Sequence, residues 1–411
     1  MPAETMSSRM RRLQNHTPRS MRFWAAALAA TWLLAACSHK QVDQPAKLAP
    51  IKSTLRVREI WSASVGGFHL INFWGFGNSK TRALLLGLRL VVQDNRLFAS
   101  GHDGEVAAFD PRNGHELWHT NTHLPLGGGP AVRGKLLVLG ATDGQVIALN
   151  ADDGKTLWKV RLPDAVISSP GLSSHLVAVR TIDGVLHALS TRDGHGLWET
   201  QQHMPSLSLR GAAIPVITHH MVISGFANGK VLAVNASDGS QVWLATVSQP
   251  IGRTAIERLA DVHGAVIVSG KDVYTVGYHG TVDMLALASG QPWWSHKASS
   301  FRGLALGAHA VYMSSADGSV VALNRKNGAV IWRQPALRYR AVTQPAVSPD
   351  GVVVADYQGY VHWLNKRTGA FEARAETGGI RVSNPPVVIG NEVVVINDVG
   401  HITAFRVSPR H

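Results

Sequence analysis

The stretch DGQVIALNADDGKTLW, residues 143–158, decides the fold. It opens on Asp-Gly, whose backbone accepts the positive φ of a tight turn between twisted strands. Val146, Ala148 and their neighbours then alternate at period two, giving a strand with one apolar face. A second glycine, Gly154, makes another turn, and a strand carrying Trp158 follows. Upstream, KLLVLGA (135–141) reads as one more strand, and PAVRG (130–134) as a short run before it. The unit is four antiparallel strands.

The same unit recurs as DGEVAAFDPRNGHELW, DGVLHALSTRDGHGLW, NGKVLAVNASDGSQVW and DGSVVALNRKNGAVIW. Its first-turn glycines are Gly104, Gly144, Gly184, Gly229, Gly280, Gly318, Gly359 and Gly400, at spacings of 40, 40, 45, 51, 38, 41 and 41. A four-stranded unit with a period near 40 predicts a β-propeller, because radial stacking covers apolar faces that a row of separate sheets would leave bare. Eight turns predict eight blades. The last unit, HITAFRV after Gly400, lacks a Trp strand, and LRVREIW (55–61) supplies one. The expected fold is all-β: an eight-bladed β-propeller over 55–411, four antiparallel strands per blade, its ring closed by an N-terminal strand joining the C-terminal blade.

Trp61, Trp118, Trp158, Trp198, Trp243, Trp294 and Trp332 occupy one place in the repeat, and Ala373 stands where an eighth would fall. A ligand site would use one or two such rings. Seven at a fixed place are expected to pack between blades.

Ahead of the repeats runs MRFWAAALAATWLLAAC, residues 21–37. Its apolar stretch is too short to span a bilayer and reads as an export signal. Leu34-Ala35-Ala36-Cys37 resembles a bacterial lipobox, in which small residues fit the peptidase cleft and the sulfur accepts diacylglycerol. Cys37 is the only cysteine, so lipidation also removes a spare thiol from an oxidising compartment. Residues 1–36 are thus expected to be a lipoprotein signal peptide, with Met21 an alternative start. Residues 37–54 are expected to be a lipidated N-terminus and flexible, Pro-containing tether. Ser38, rather than Asp, follows the cysteine and resembles the pattern sent on to the outer membrane.

The net charge is +13; excising 1–36, with Arg9, Arg11, Arg12, Arg19, Arg22 and Glu4, leaves +9. The charges are scattered and the compartment is the cell envelope, so no nucleic-acid partner is expected. No catalytic residues, metal site or cofactor site emerge. The 20 histidines include one HExxH spacing, HELWH (115–119), but it falls on the Trp-bearing strand of the repeat rather than on the helix that would bring its two imidazoles to one face, and His102, His115, His187 and His195 fall in or near blade turns. Gly127-Gly128-Gly129 precedes a strand and reads as a connector, and the Asp-Gly turns lack the alternating oxygens of a Ca²⁺ loop.

Function in repeat proteins sits where repeats are irregular. Three places depart from the period: GGFHLINFWGFGNSKTR (66–82), PSLSLRG (205–211) and the long passage 248–270 containing ERLADV. The last two lead into adjacent blades. Leucines with Arg210 and Asp261 suit a protein interface of apolar anchors and register-fixing charges.

On the lipobox, the eight repeats and the SLSLRG and ERLADV segments, the chain resembles the lipoprotein propellers of the outer-membrane β-barrel assembly machinery, the BamB family of PQQ-like repeats. The resemblance implies a non-enzymatic scaffold on the periplasmic face of the outer membrane, held there by its N-terminal lipid alone. It implies a monomer within a hetero-oligomeric complex that binds the POTRA domains of the BamA-type barrel protein, with unfolded β-barrel precursors as further partners. The family's contact residues map to Leu207, Leu209, Arg210 and Asp261; His263 stands where the family has a second acidic residue. Two other readings share the repeat: a PQQ-dependent periplasmic dehydrogenase, whose family disulfide is impossible with one cysteine, and a lipid-anchored propeller binding another envelope protein.

Overall fold

The described residues form eight sheets that follow one another as blades, and in blade 1 the four strands, from inner to outer, are Val91–Gln93, Arg96–Ser100, Glu105–Phe109 and Glu116–Asn121. The structure, a computed structural model, describes residues 43–65, 87–205, 207–208, 213–254, 256–262 and 264–410. Cys37, the aromatic passage 66–82, Leu209, Arg210 and His263 lie outside the described residues. Blade 8 takes Val387–Ile389, Glu392–Ile396 and His401–Pro409 from the chain's end and Leu55–Ser64 from its beginning. The two distant segments pair antiparallel from Leu55↔Pro409 to Ser64↔His401, which closes the ring.

Eight apolar clusters hold the ring, and each spans two neighbouring blades. One joins Leu97 and Phe109 of blade 1 to Val394 and Ile402 of blade 8, so the seam between the chain's ends is as apolar as the others. The repeated tryptophans sit between blades. Each indole N–H donates to a carbonyl of the following blade, as Trp118 does to Ala151 at 3.0 Å and Trp243 to Leu287 at 2.8 Å. The ring lies on that blade's second-turn glycine: a Cβ on Gly154 would stand 2.7 Å from Trp118, and one on Gly290 2.6 Å from Trp243. These glycines also have positive φ, so shape and backbone both require them. Between blades 7 and 8 the device is missing. Ala373 replaces the tryptophan, and Trp363, its cross-strand partner, is fully buried and meets Phe405 edge-on at 6.0 Å.

Every outer strand carries a β-bulge just before the tryptophan position, where one residue is skipped in the pairing. The skipped residues are Ile60, Leu117, Leu157, Leu197, Val242, Trp293, Ile331 and Glu372. The extra residue bends the strand, and in six blades its side chain is exposed, whereas Ile60 packs against the cluster between blades 8 and 1.

Three local features differ from the sequence reading. Gly127, Gly128 and Gly129 belong to the innermost strand of blade 2, Leu126–Arg133, and are not a connector. Their bare backbone admits a fifth strand, Gly87–Leu88, which pairs parallel with Gly128 and Gly129. In blade 5 the positive φ falls on His279 rather than Gly280. His187 is buried within a strand of blade 3, its Nε2 3.2 Å from the Thr181 hydroxyl, rather than solvated at a turn.

The chain is fastened to the propeller from Ala46 onward. Ala46 N–H donates to the Arg338 carbonyl, Leu48 packs on the cluster between blades 6 and 7, and Thr54 N–H donates to the Glu372 carbonyl. Two arginines grip this strap. Arg340 donates to the Ala46 carbonyl at 3.0 Å and Arg374 to the Ala49 carbonyl at 3.1 Å. Behind them, Arg340 pairs with Asp356 at 2.7 Å, and His362 Nε2 lies 3.1 Å from the same carboxylate oxygen. Arg374 donates to His362 Nδ1, so the neutral imidazole carries its proton on Nε2 and donates to Asp356.

Candidate protein-docking surface

In a four-stranded meander the turns alternate between the two faces of the ring. The first turns and the connections between blades therefore share one face. Backbone bonds record this: Leu162 N–H donates to the Gly144 carbonyl, Gln202 to Gly184 and Val247 to Gly229. The repeat's irregular connections, into blades 4 and 5, thus open on the same side.

The connection into blade 4 leaves the outer strand Gly196–Gln201 of blade 3 and presents Leu207 to solvent at 44% exposure. The connection into blade 5 is longer and has internal structure. Glu257 accepts from the backbone N–H of Arg253 at 2.7 Å and of Thr254, while Thr254 Oγ1 accepts from Glu257 N–H. This reciprocal Thr-x-x-Glu arrangement caps a single helical turn, and those backbone donors hold the Glu257 carboxyl below its usual range. The turn leaves Ile251 and Ile256 standing out at 74% and 70% exposure. In the sequence Ile256 falls in an irregular passage, and neither isoleucine carries a motif that assigns it a role. The available signal was apolar residues in a loop with no strand period to bury them.

Asp261 lies beneath this surface, at 1% exposure. Its backbone forms a bridge with Tyr278, whose N–H donates to the Asp261 carbonyl at 2.7 Å, tying the connection to the first turn of blade 5. Val262 follows and packs on Gly225, where a Cβ would stand 2.5 Å from its methyl. The Asp261 carboxylate acts on Arg180, a buried guanidinium at the end of a blade 3 strand. Burial pulls the Arg180 pKa down, and the Asp261 charge opposes that. The guanidinium also lies over the Phe226 ring at 5.7 Å. Asp261 thereby links blades 3, 4 and 5 through charge, ring and backbone. Arg180 had no sequence signal, since it ends an ordinary strand. Among the described residues no group of His, Cys, Asp and Glu is disposed to hold a metal ion.

Fold and repeat define a propeller of PQQ-like blades whose elaboration lies in its connections. The family profile described as outer membrane protein assembly factor BamB matches residues 102–334 and 316–409. The BamB factor of Kangiella koreensis is 41% identical over 375 residues, spanning 91% of this chain and 94% of its own. The crystal structure of BamB from Moraxella catarrhalis superposes with a TM-score of 0.76 at 27% identity, over 85% of this chain and all (100%) of that one. A quinohemoprotein alcohol dehydrogenase of Comamonas testosteroni gives a TM-score of 0.64 at 13% identity, over 85% of this chain and 76% of that one, a likeness of fold alone. This chain belongs to the BamB family of outer membrane protein assembly factors.

Proposed function

We propose that the chain is a non-enzymatic lipoprotein scaffold of the outer-membrane β-barrel assembly complex. It is anchored through Cys37 on the periplasmic face and docks on the POTRA domains of a BamA-type barrel protein. The observation that carries this reading is the pair of connections on one face. They expose Leu207, Ile251 and Ile256 above the buried Asp261, and such apolar anchors over a polar support suit a protein partner. Leu209 and Arg210 complete the contact in the first connection. His263 replaces a second acidic residue in the other, so the charge offered to the partner is smaller than in the family pattern. Unfolded barrel precursors are held near the membrane by the same complex.

The test is calorimetric titration of the purified protein with isolated POTRA domains. Binding is expected, and Arg210→Ala should weaken it roughly thirtyfold, the effect of losing an interface arginine worth about 2 kcal/mol. Changing Leu207 and Leu209 together to serine should weaken it too, and His263→Asp should strengthen it. Unchanged affinity in the folded Arg210 variant would remove this surface from the interface.

A further inference from the structure

Blades 3 and 7 are four places apart in a ring of eight, and they share a feature the other six lack. At the third-strand position just before the residue opposite the tryptophan site, blades 3 and 7 carry buried histidines, His187 and His362. The other blades place Ala107, Ile147, Leu232, Asp283, Val321 and Thr403 there. Each histidine uses Nε2 on the residue that opens its turn: His187 on Thr181 at 3.2 Å, His362 on Asp356 at 3.1 Å. Each is opposite a charged residue of the outer strand, Glu199 in blade 3 and Arg374 in blade 7.

In blade 7 the groove beside this histidine is filled by the chain's own strap. Leu48 packs on the apolar cluster that contains Leu337 and Leu364, as Phe371 does, and Arg374 holds the Ala49 carbonyl. In blade 3 the equivalent groove is open. It measures about 460 Å³ and is lined by residues including Val160, Leu162, His187, Leu197, Trp198 and Glu199. Counted from the tryptophan position, four of the lining residues, Pro163, Leu189, Gly196 and Glu199, take the places of Leu337, Leu364, Phe371 and Arg374 in blade 7. Two differences decide what fits. Gly196 stands where blade 7 has Phe371, and open space surrounds the place a Cβ would take, so the groove is wider. Glu199 replaces Arg374, reversing the charge at the groove wall.

We propose that the groove between blades 2 and 3 is a docking site for an extended, proline-containing segment of another chain, with a leucine anchor and a lysine or arginine next to it. The occupied groove in blade 7 shows that this repeat geometry seats such a backbone. Glu199, 71% exposed in its side chain with His187 Nδ1 3.4 Å away, faces a cation where Arg374 faces a carbonyl. The site is separate from the surface proposed for POTRA binding, and it stands or falls independently of that reading.

The probe is a fluorescent synthetic peptide of residues 44–54, QPAKLAPIKST, carrying Ala49→Arg. Its anisotropy with the full-length protein should saturate below ~1 mM, the floor of specific recognition. A Leu48→Asp change in the peptide, or Leu197→Asp in the protein, should weaken binding roughly tenfold through loss of the buried leucine contact. Glu199→Arg in the protein should weaken it about fivefold, the scale of an exposed ion pair, and a peptide with Ala49→Glu should recover that loss. A benzophenone in place of Leu48 should cross-link to blades 2 and 3. Absence of saturation, or equal affinity across these variants, would overturn the proposal. Cross-links confined to blades 6 and 7 would do so as well, since the peptide would then be displacing the strap.

Discussion

The indole N–H of Trp61 donates to the carbonyl of Pro111 at 2.8 Å, and its ring covers Gly114, where a Cβ would stand 2.5 Å away. This one contact joins the first strand of the propeller to the first blade built wholly from consecutive sequence. It repeats six more times around the ring, from Trp118 onto Gly154 through to Trp332 onto Gly369. The seam between blades 8 and 1 therefore uses the same device as six of the other seven, the exception being that between blades 7 and 8.

Gly114→Ala should be costly for two reasons. The φ of +72° penalises a side chain by about 1–2 kcal/mol, and the clash with Trp61 adds roughly 1–3 kcal/mol of overpacking. Gly134→Ala is the control: its φ is +56°, but nothing lies within 4 Å of the new Cβ. Urea unfolding of both variants should separate the strain common to them from the lost seam. Equal midpoints would mean that the ring over Gly114 contributes nothing.

Ala373→Trp should not repair an apparent defect. Trp363 already fills the space between blades 7 and 8, at 0% exposure. Blade 8 takes its outer strand from the chain's beginning, so it has no second-turn glycine to receive an indole. Overpacking of about 1–3 kcal/mol is expected, read as a lower unfolding midpoint. A stabilised variant would show that the eighth seam is merely incomplete.

His362 gives the stability a pH dependence of defined sign. Burial holds its pKa below the usual histidine value, against the pull of Asp356. Between the lowered folded pKa and the unfolded value the unfolded chain binds the extra proton, so stability falls as pH drops below about 6.5. One such histidine contributes at most about 1.4 kcal/mol per pH unit. The pKa of His187 is lowered for the same first reason, burial. The Asp356 carboxyl is held low by His362 and Arg340 against its own burial, so its contribution is lost only at more acid pH, below the unfolded carboxyl value. Thermal unfolding between pH 8 and 5 should be less steep in His362→Gln than in the parent. Parallel curves would exclude His362 as a source of the slope.

Asp261→Ala and Arg210→Ala should differ in kind. Removing Asp261 takes the counter-charge from Arg180 in a buried setting, a change that costs about 3–5 kcal/mol where such pairs are broken. Both the unfolding midpoint and POTRA binding should fall. Arg210→Ala should lower binding alone. If Asp261→Ala left stability unchanged, its place beneath the connections would not be structural.

Cys37→Ser should release the protein from membranes or trap it as a precursor, with a propeller that still folds, because the repeats begin well after it. Intact-mass measurement of the mature protein should find acyl chains on Cys37, several of which are needed for firm anchoring. A free thiol there would refute the anchor.

The sequence exposes what repeats and hides what happens once. Eight turns and their spacing predict the ring, and the chain's missing last strand predicts its closure, because both follow from local turn chemistry and strand period. The register of Trp118 against Gly154 was not legible as a pair, since the partners belong to different units. In sequence the strap looks like a tether because PAKLAP has no period. Its order comes from Arg340 and Arg374, nearly 300 residues away and longer still by the second bond, at separations of 294 and 325. Leu207 and Asp261 stand on one footing in the sequence, yet the first is exposed and the second buried, a distinction set by the Tyr278 bridge and the Arg180 charge. The open groove in blade 3 depends on Gly196, one glycine among 40.

The skipped residues of the outer strands bear on how the molecule tolerates crowding. A wheel whose eight spokes end in straight, unpaired strands would be a multivalent monomer, able to continue its sheets into neighbours and polymerise across a surface. Confinement to a membrane would favour that by raising local concentration. Each spoke instead ends in a bulged strand, broken at its second residue in seven of the eight blades, with Leu157 or another exposed side chain projecting from the break in six of them. Two rims brought together lose their register at that break, which limits edge-to-edge pairing to the few residues beyond it.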